Sequence, residues 1–298
     1  MNTIGTGAFR PRTLIGVIVV AVGALVAAPW YWYAHGGFST GAWVMFAVLY
    51  IWTNIGQSLG YHRLWAHRTY ECGKIMQAFL AIGASLAVVK VFLEWGPDHL
   101  WHHLHTDEEG DVHSPIVHPL SKPENPDGFW KALYGLWWAH MGWFMRQTTV
   151  PVEFKERCGF AKNPILRWQK RWDKPIVFLG FFIPFMVAGW DGLLLAGFVR
   201  VFVYWQATFA VNSYGHLVKV KRDAAGHVIL FEPARNSFVL AILVLGEGYH
   251  RNHHRKAGSA YLGWKWYDFD PGKWILVTLE KIRLVYGIKK PMTHTGTR

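Results

Sequence analysis

Residues 13 to 33 read TLIGVIVVAVGALVAAPWYWY, an uncharged apolar run, and three more apolar stretches occupy 39–60, 174–190 and 192–213. A transmembrane helix needs roughly 20 apolar residues to cross the hydrocarbon of a bilayer, so the pattern predicts four spans arranged as two hairpins. The turns inside the hairpins, AHGGFS and GWDG, contain no lysine or arginine. Arg10 and Arg12, the segment KERCGFAKNPILRWQKRWDK (155 to 174) and KVKR (219 to 222) are strongly basic. The positive-inside rule then places both termini, and a cap made of residues 61–173 and 214–298, in the cytoplasm. The first run is read as a retained helix and not a signal peptide, because it is long, lacks a clear small-residue cleavage site and leads at once into a second span. The expectation is an all-α, multi-pass integral membrane protein with a helical cytoplasmic cap, forming one domain over 1–298.

Composition supports this. Of 298 residues 52% are hydrophobic, with 18 tryptophans and 19 phenylalanines, more than an ordinary soluble domain carries. The mean hydropathy of only +0.12 requires a large polar portion outside the bilayer. The net charge of +12 suits a lipid surface, an anionic headgroup or an acidic protein partner. Nucleic acid is excluded, because the basic residues are spread along membrane-flanking loops without a nucleic-acid-binding motif. Cys72 and Cys158 both fall on the predicted cytoplasmic side, which leaves no disulfide framework and no cysteine metal site. PLSKPENPDG, 119 to 128, reads as a surface loop.

Histidine spacing carries the chemistry. GEGYHRNHHR (246 to 255) holds His250, His253 and His254 at i, i+3 and i+4, positions that share a helix face and can aim their rings at one spot. DHLWHH repeats the spacing with His99, His102 and His103. GYHRLWAH adds His62 and His67, which lie five apart, about 140° around an ideal helix, and are expected where the second span ends and unwinds. NSYGH adds His216, with Asn212 on the same face; the asparagine either packs or reaches a metal through a water. Nine imidazoles exceed the roughly six ligands of one octahedral ion, so two metals are expected. If 75–95 crossed the membrane, the first two clusters would sit on opposite faces, so this segment is predicted to lie along the interface or to dip in and return. The stretch 237–246 is too short to span.

Glu94, Asp98 and Glu247 lie beside the clusters and are candidates to accept the second ring N–H of a ligand histidine, salt bridges to arginines being the alternative. The H-E-x-x-H pattern of zinc hydrolases is absent, as are serine triads and phosphate loops, so so many histidines with few carboxylates in the spacing point to iron and O2. Stepping back by four from His62 gives Ser58, Asn54 and Tyr50, one face of the second span that leads from the metals into the membrane. A polar asparagine there faces a cavity or bonds a neighbouring helix.

GYHRLWAHRTY, EWGPDHLWHHLHTDEEGDVHSP and GEGYHRNHHR resemble, in order, the three histidine boxes of the membrane fatty acid desaturases of the stearoyl-CoA delta-9 type, and NSYGH is similar to that family's additional ligand motif. The resemblance covers roughly residues 40 to 290. It implies two irons held by His62, His67, His99, His102, His103, His216, His250, His253 and His254, with Asn212 acting through a water. It implies four transmembrane helices under a cytoplasmic cap, and a bent acyl tunnel beneath irons that activate O2 and leave a cis double bond. His105, His113, His118 and His140 fall outside the family's ligand positions. In this family the second span contributes to the closed end of the tunnel, so the bulk of Tyr50 and Asn54 implies a preference for shorter chains. Acyl-CoA members carry an arginine where this chain has Pro97. Arg146 remains as a headgroup candidate, but Gln147 replaces a second basic residue. Acyl-CoA, acyl carrier protein and acyl-lipid substrates all stay open. The chain has no fused haem or ferredoxin-like segment, so an external electron donor of the cytochrome b5 or ferredoxin type is expected to dock on the basic loops. The alternatives are a hydroxylase or ketolase on the same scaffold and, from another class, a membrane protein with structural zinc.

Overall fold

The computed structural model describes residues 7–119, 128–147, 149–217, 220–222, 228–230, 232 and 234–291. Most of the loop predicted at 119–128, and Lys219 of the second basic segment, lie outside the described residues.

Helix α1, Pro11–His35, ends at Gly36, whose φ of 73° is a left-handed position that glycine adopts without strain. The Ser39 hydroxyl caps α2, Thr40–Ile55, by accepting from the Ala42 N–H. The Ser39 N–H in turn donates to the Asp191 carboxylate at 2.7 Å, so the AHGGFS and GWDG turns lie against each other. Helix α2 continues without a break into a π-helix, Gly56–Ala66. There follow β1 (Glu71–Cys72), α3 (Lys74–Ser85), α4 (Phe92–Leu104), α5 (Phe129–His140), α6 (Val152–Cys158) and α7 (Pro164–Asp191). A second long π-helix, Gly192–Val199, leads into α8 (Arg200–Ser213), the antiparallel β2 (Val220–Arg222) and β3 (Val228–Leu230), α9 (Phe238–Leu243), α10 (His250–Arg255), α11 (Pro271–Lys281) and β4 (Val285–Tyr286).

Among the described residues, two stretches are long and apolar enough to cross a membrane, Pro11–His35 and Pro164–Ser213. The second folds back on itself. At Ala188 (φ −134°, ψ 20°) and Gly189 (φ 58°, ψ −141°) the backbone leaves helical geometry, so the runs predicted at 174–190 and 192–213 are its two limbs. The run predicted at 39–60 is helical as well, but Asn54, Gln57 and Ser58 in its inner half keep it short of the other two on composition. Ile18, Val19 and Val26 of α1 and Phe178, Met186 and Val187 of α7 are exposed. Apolar surface of this extent marks contact with a membrane or another protein.

The 75–95 segment does not form one helix. Helix α3 has 12 residues, about 18 Å at 1.5 Å per residue, which is too short to cross. The chain turns through Val88, a left-handed residue at φ 55°, and returns as α4. Carbonyls freed in that turn find protein donors: Leu86 O accepts from the Arg200 guanidinium and Ala87 O from the Trp205 indole, each at 2.8 Å. Arg200 also reaches the Thr53 hydroxyl on α2 at 2.9 Å. Buried carbonyls that leave helical geometry need protein donors, and α8 supplies them here.

The C-terminal segment closes over the end of the first π-helix. Strand β1 pairs antiparallel with β4, Cys72 opposite Val285, around a core that includes Tyr61, Trp65, Phe92 and Leu276. The buried Arg63 donates to the Asp270 carboxylate at 3.2 Å and to the Ser58 hydroxyl at 2.8 Å. Asp270 also caps α11 through the Lys273 N–H. A Cβ at residue 272 would lie 1.9 Å from the Arg63 guanidinium, so only Gly272 admits it. Breaking such a buried pair costs roughly 3–5 kcal/mol, which makes the π-helix and the C-terminal cap one unit.

Candidate metal centre

The first π-helix solves the five-residue spacing of His62 and His67. The His67 N–H donates to His62 O at 3.1 Å, an i→i+5 bond that brings the two rings to one face with centroids 4.9 Å apart. The pair stands where the helix ends, as expected, with His67 the cap after Ala66, but the helix reaches that end by widening and not by unwinding.

Clusters two and three do not each aim at one spot. His62, His67, His99, His103 and His253 form one group, and His102, His216, His250 and His254 another, with ligand nitrogens in each group within 4.8 Å of one another. The physical reason is helical phase. Residues i and i+4 are about 40° apart around the axis and i+3 and i+4 about 100°, so His99 stays with His103 and His250 with His254. His102 and His253 cross to the other group.

The donor set fits a pair of metal ions. His102 Nδ1 bonds the Asp111 carboxylate at 2.8 Å, His216 Nδ1 bonds Asp107 at 3.0 Å, and His62 Nδ1 lies 2.6 Å from Glu247. A ring that gives its Nδ1 proton to a carboxylate presents a bare Nε2. These Nε2 atoms nevertheless face other imidazole nitrogens: His62 to His253 at 3.0 Å, His216 to His250 at 2.8 Å, His102 to His254 at 3.4 Å. Neutral ring nitrogens this close repel through their lone pairs, and a cation held among them would turn that repulsion into ligation. Burial, followed by neighbouring imidazoles, pushes His67, His99, His102, His250, His253 and His254 well below the usual histidine range and His103 to about 3. The rings are therefore neutral and ready to bind.

Of the three carboxylates expected to brace the rings, only Glu247 lies against one. Burial alone would raise its pKa, but His62 and Arg63 hold it below the usual range, and the Ser58 hydroxyl donates to its other oxygen at 2.5 Å. Glu94 instead pairs with Arg10 at 2.8 Å, and the buried Asp98 pairs with Lys90 at 3.0 Å. Both sit on α4, and their carboxylates are taken up by these cations instead of by a ring nitrogen. Asp107 and Asp111, which do brace histidines, were not singled out in the sequence; their only hint is their place in TDEEGD directly after the second cluster. Asp107 has φ 57°, and its N–H donates to Asp111 at 2.8 Å, so the two carboxylates are set by one tight turn.

A cavity beneath the histidines is lined by Asn54, Ser58, Trp95, Trp143, Phe209 and Asn212, among others. Asn54 donates to Tyr50 O at 3.0 Å. Tyr50 itself is not in the lining and donates its hydroxyl to Leu243 O at 2.9 Å, so of the predicted tunnel face only Asn54 and Ser58 reach the cavity. Arg146 pairs with the N-terminal segment, opposite Phe9, and its guanidinium reaches Gly7 O at 3.4 Å. His140 bonds Ser213 and Gln206, and His105 packs at a tilt against Trp101. His113 packs on His102, with centroids 4.2 Å apart, and joins it and Asp111 in a third, smaller group.

Comparison with known proteins agrees on one family. Residues 39–284 match the model of the fatty acid desaturase family. The chain is 30% identical over 92% of its length to a hex-5-enoyl-[acyl-carrier protein] acetylenase of Moorena producens, covering 84% of that protein. It is 31% identical over 83% of its length to acyl-CoA desaturase 1 of Saccharomyces cerevisiae, of which it spans about half (46%). It is 28% identical over 90% of its length to an sn-1 stearoyl-lipid 9-desaturase of Anabaena variabilis, covering 88% of it.

Proposed function

The chain belongs to the fatty acid desaturase family, and from that premise we propose that it is an O2-dependent di-iron enzyme that introduces a cis double bond, at the delta-9 position, into a saturated fatty acyl chain. The observation that carries this reading is the division of nine histidines into groups of five and four beside a cavity that His62, His99, His102 and His250 line together with Trp95, Trp143 and Phe209. His62, His67, His99, His103 and His253 would hold one iron; His102, His216, His250 and His254 would hold the other, with Asn212 acting through a water. Bound iron supplies the activation of O2 and the oxidising power for removing two hydrogens. The chain's own residues do the rest. Glu247, Asp107 and Asp111 fix the tautomer and direction of three rings. Trp95, Trp143 and Phe209 form walls that exclude water and hold the acyl chain beside the histidines.

The membrane arrangement proposed is four spans: α1, α2, and the two limbs of Pro164–Ser213, with both termini and the histidines on the cytoplasmic side, where the basic segments lie. Two electrons from outside are needed for each O2. Arg157, Lys162, Arg167, Lys170 and Arg171 are exposed and form a basic face for an acidic donor of the cytochrome b5 or ferredoxin type. The relatives' names include acyl-CoA, acyl-lipid and acyl-[acyl-carrier protein] substrates, so an acyl chain on a carrier is the substrate class.

The test is expression in a host that lacks its own desaturase, followed by gas chromatography of total fatty acids. Cis-monounsaturated acids should appear, and they should be absent when His99 or His253 is replaced by alanine. Hydroxylated or unchanged acids would overturn the reading.

A further inference from the structure

A second, larger hollow lies beside the cavity under the histidines. It is a groove of about 690 Å3 between α1 and α7. Val17 and Val20 form one wall, Val177 and Phe181 the other, and Trp205 contributes to the lining from α8. Val89, Lys90 and Phe144 line both this groove and the cavity, so the two are adjoining spaces with those side chains between them. Exposed Val19 and Phe178 stand at the groove's edges, and Gly16 on its α1 wall leaves it wide. The polar end of the groove carries Arg12 and Lys174, both exposed. Two further cations of the lining are already engaged: Arg10 with Glu94, and Lys90, between groove and cavity, with Asp98.

We propose that this groove admits the acyl chain of an intact, anionic membrane phospholipid, which passes Val89 and Phe144 to the cavity under the histidines while its phosphate rests at Arg12 and Lys174. The substrate is then an ester-linked lipid and not a soluble thioester. This deepens the desaturase reading and rests on it. Three features select that occupant. The walls are hydrocarbon for about 12 Å along α1, from Arg12 to Val20, so a chain can slide in sideways without meeting water. The exposed cations, Arg12 and Lys174, sit at one end, as a phosphate on an apolar tail requires, with the Asp173 carboxylate in the same lining, while the buried Lys90 stands where the groove adjoins the cavity. The groove also meets the candidate metal site instead of ending blindly, which a merely structural lipid would not need.

The experiment uses the full chain in nanodiscs of phosphatidylglycerol containing a saturated lipid with a diazirine on its sn-1 chain, with peptide mapping after illumination. Labels should concentrate on the peptides bearing Val17–Val20 and Val177–Phe181. In Gly16→Trp they should fall about tenfold, a loss of about 1.4 kcal/mol in binding. An added Cβ at residue 16 meets nothing within 4 Å, so this lining position has room for a side chain, and an indole there is expected to narrow the groove. Desaturation of the lipid-bound chain should fall in parallel, and Arg12→Glu combined with Lys174→Glu should weaken labelling by phosphatidylglycerol. Labelling that is scattered, or unchanged in Gly16→Trp, would overturn the proposal. So would a labelled groove in a protein that oxidises stearoyl-CoA and leaves phospholipid chains untouched. Groove labelling that Gly16→Trp abolishes, in a protein that desaturates neither substrate, would support the lipid groove and overturn the desaturase reading instead.

Discussion

His62 Nδ1 lies 2.6 Å from the Glu247 carboxylate, a contact that links the first π-helix to the turn before α10 on the side of the ring opposite the other histidines. Arg63 and Ser58 hold Glu247 in turn. Glu247→Gln keeps the shape but loses the acceptor charge that fixes the ring. It should lower affinity for the metal of the five-histidine group by roughly 10–100-fold, seen as partial metal loss on mild chelation while the wild type retains its full complement.

The carboxylates can be told apart by the same measurement. Asp111→Asn should cost the four-histidine group its metal, so that content falls from about two ions per chain to about one. Glu94→Gln, whose carboxylate pairs with Arg10 and not with a histidine, should leave metal content unchanged. Asp98→Asn should destabilise the fold by roughly 3–5 kcal/mol, because Lys90 is left buried and unpaired, without selective metal loss. Equal metal loss in all three variants would contradict these assignments.

Asn54 faces the cavity and Tyr50 does not. Asn54→Ala should lengthen the space available to an acyl chain and shift the product profile toward longer chains, with metal content retained. Tyr50→Phe removes the hydroxyl that donates to Leu243 O, outside the cavity lining, and should leave the profile as it was. Gas chromatography of products from a mixture of C14 to C20 substrates reads both.

Acid should destabilise the metal-free protein. Burial holds the folded imidazoles below 6.5, with His103 at about 3, while the unfolded chain titrates near the ordinary value. Between those limits the unfolded state binds more protons, so stability falls as the pH drops below about 6.5. His103 alone accounts for about 2 kcal/mol at pH 5. Thermal unfolding of chelated protein in detergent should show Tm decreasing from pH 7.5 to pH 5; a flat or rising Tm would rule out neutral buried rings.

The residues by themselves determined where the apolar helices run and which histidines gather, because hydrophobic length and clustered imidazoles are local properties that need no partner to be read. They also required the 75–95 segment to return, since two clusters that share a site cannot lie on opposite faces. Tertiary structure decided how the histidines are shared. The five-residue step from His62 to His67 becomes one face only in a π-helix, which α3 and the Arg63–Asp270 pair hold in place, and no periodicity in the sequence announces it. His102 and His253 leave their sequence neighbours because helical phase matters only once two groups exist to choose between. The choice of carboxylates was likewise settled in space. Glu94 and Asp98 are nearer in sequence to the second cluster than Asp111 is, but their side chains find Arg10 and Lys90, and a turn at Asp107 swings Asp111 back to His102.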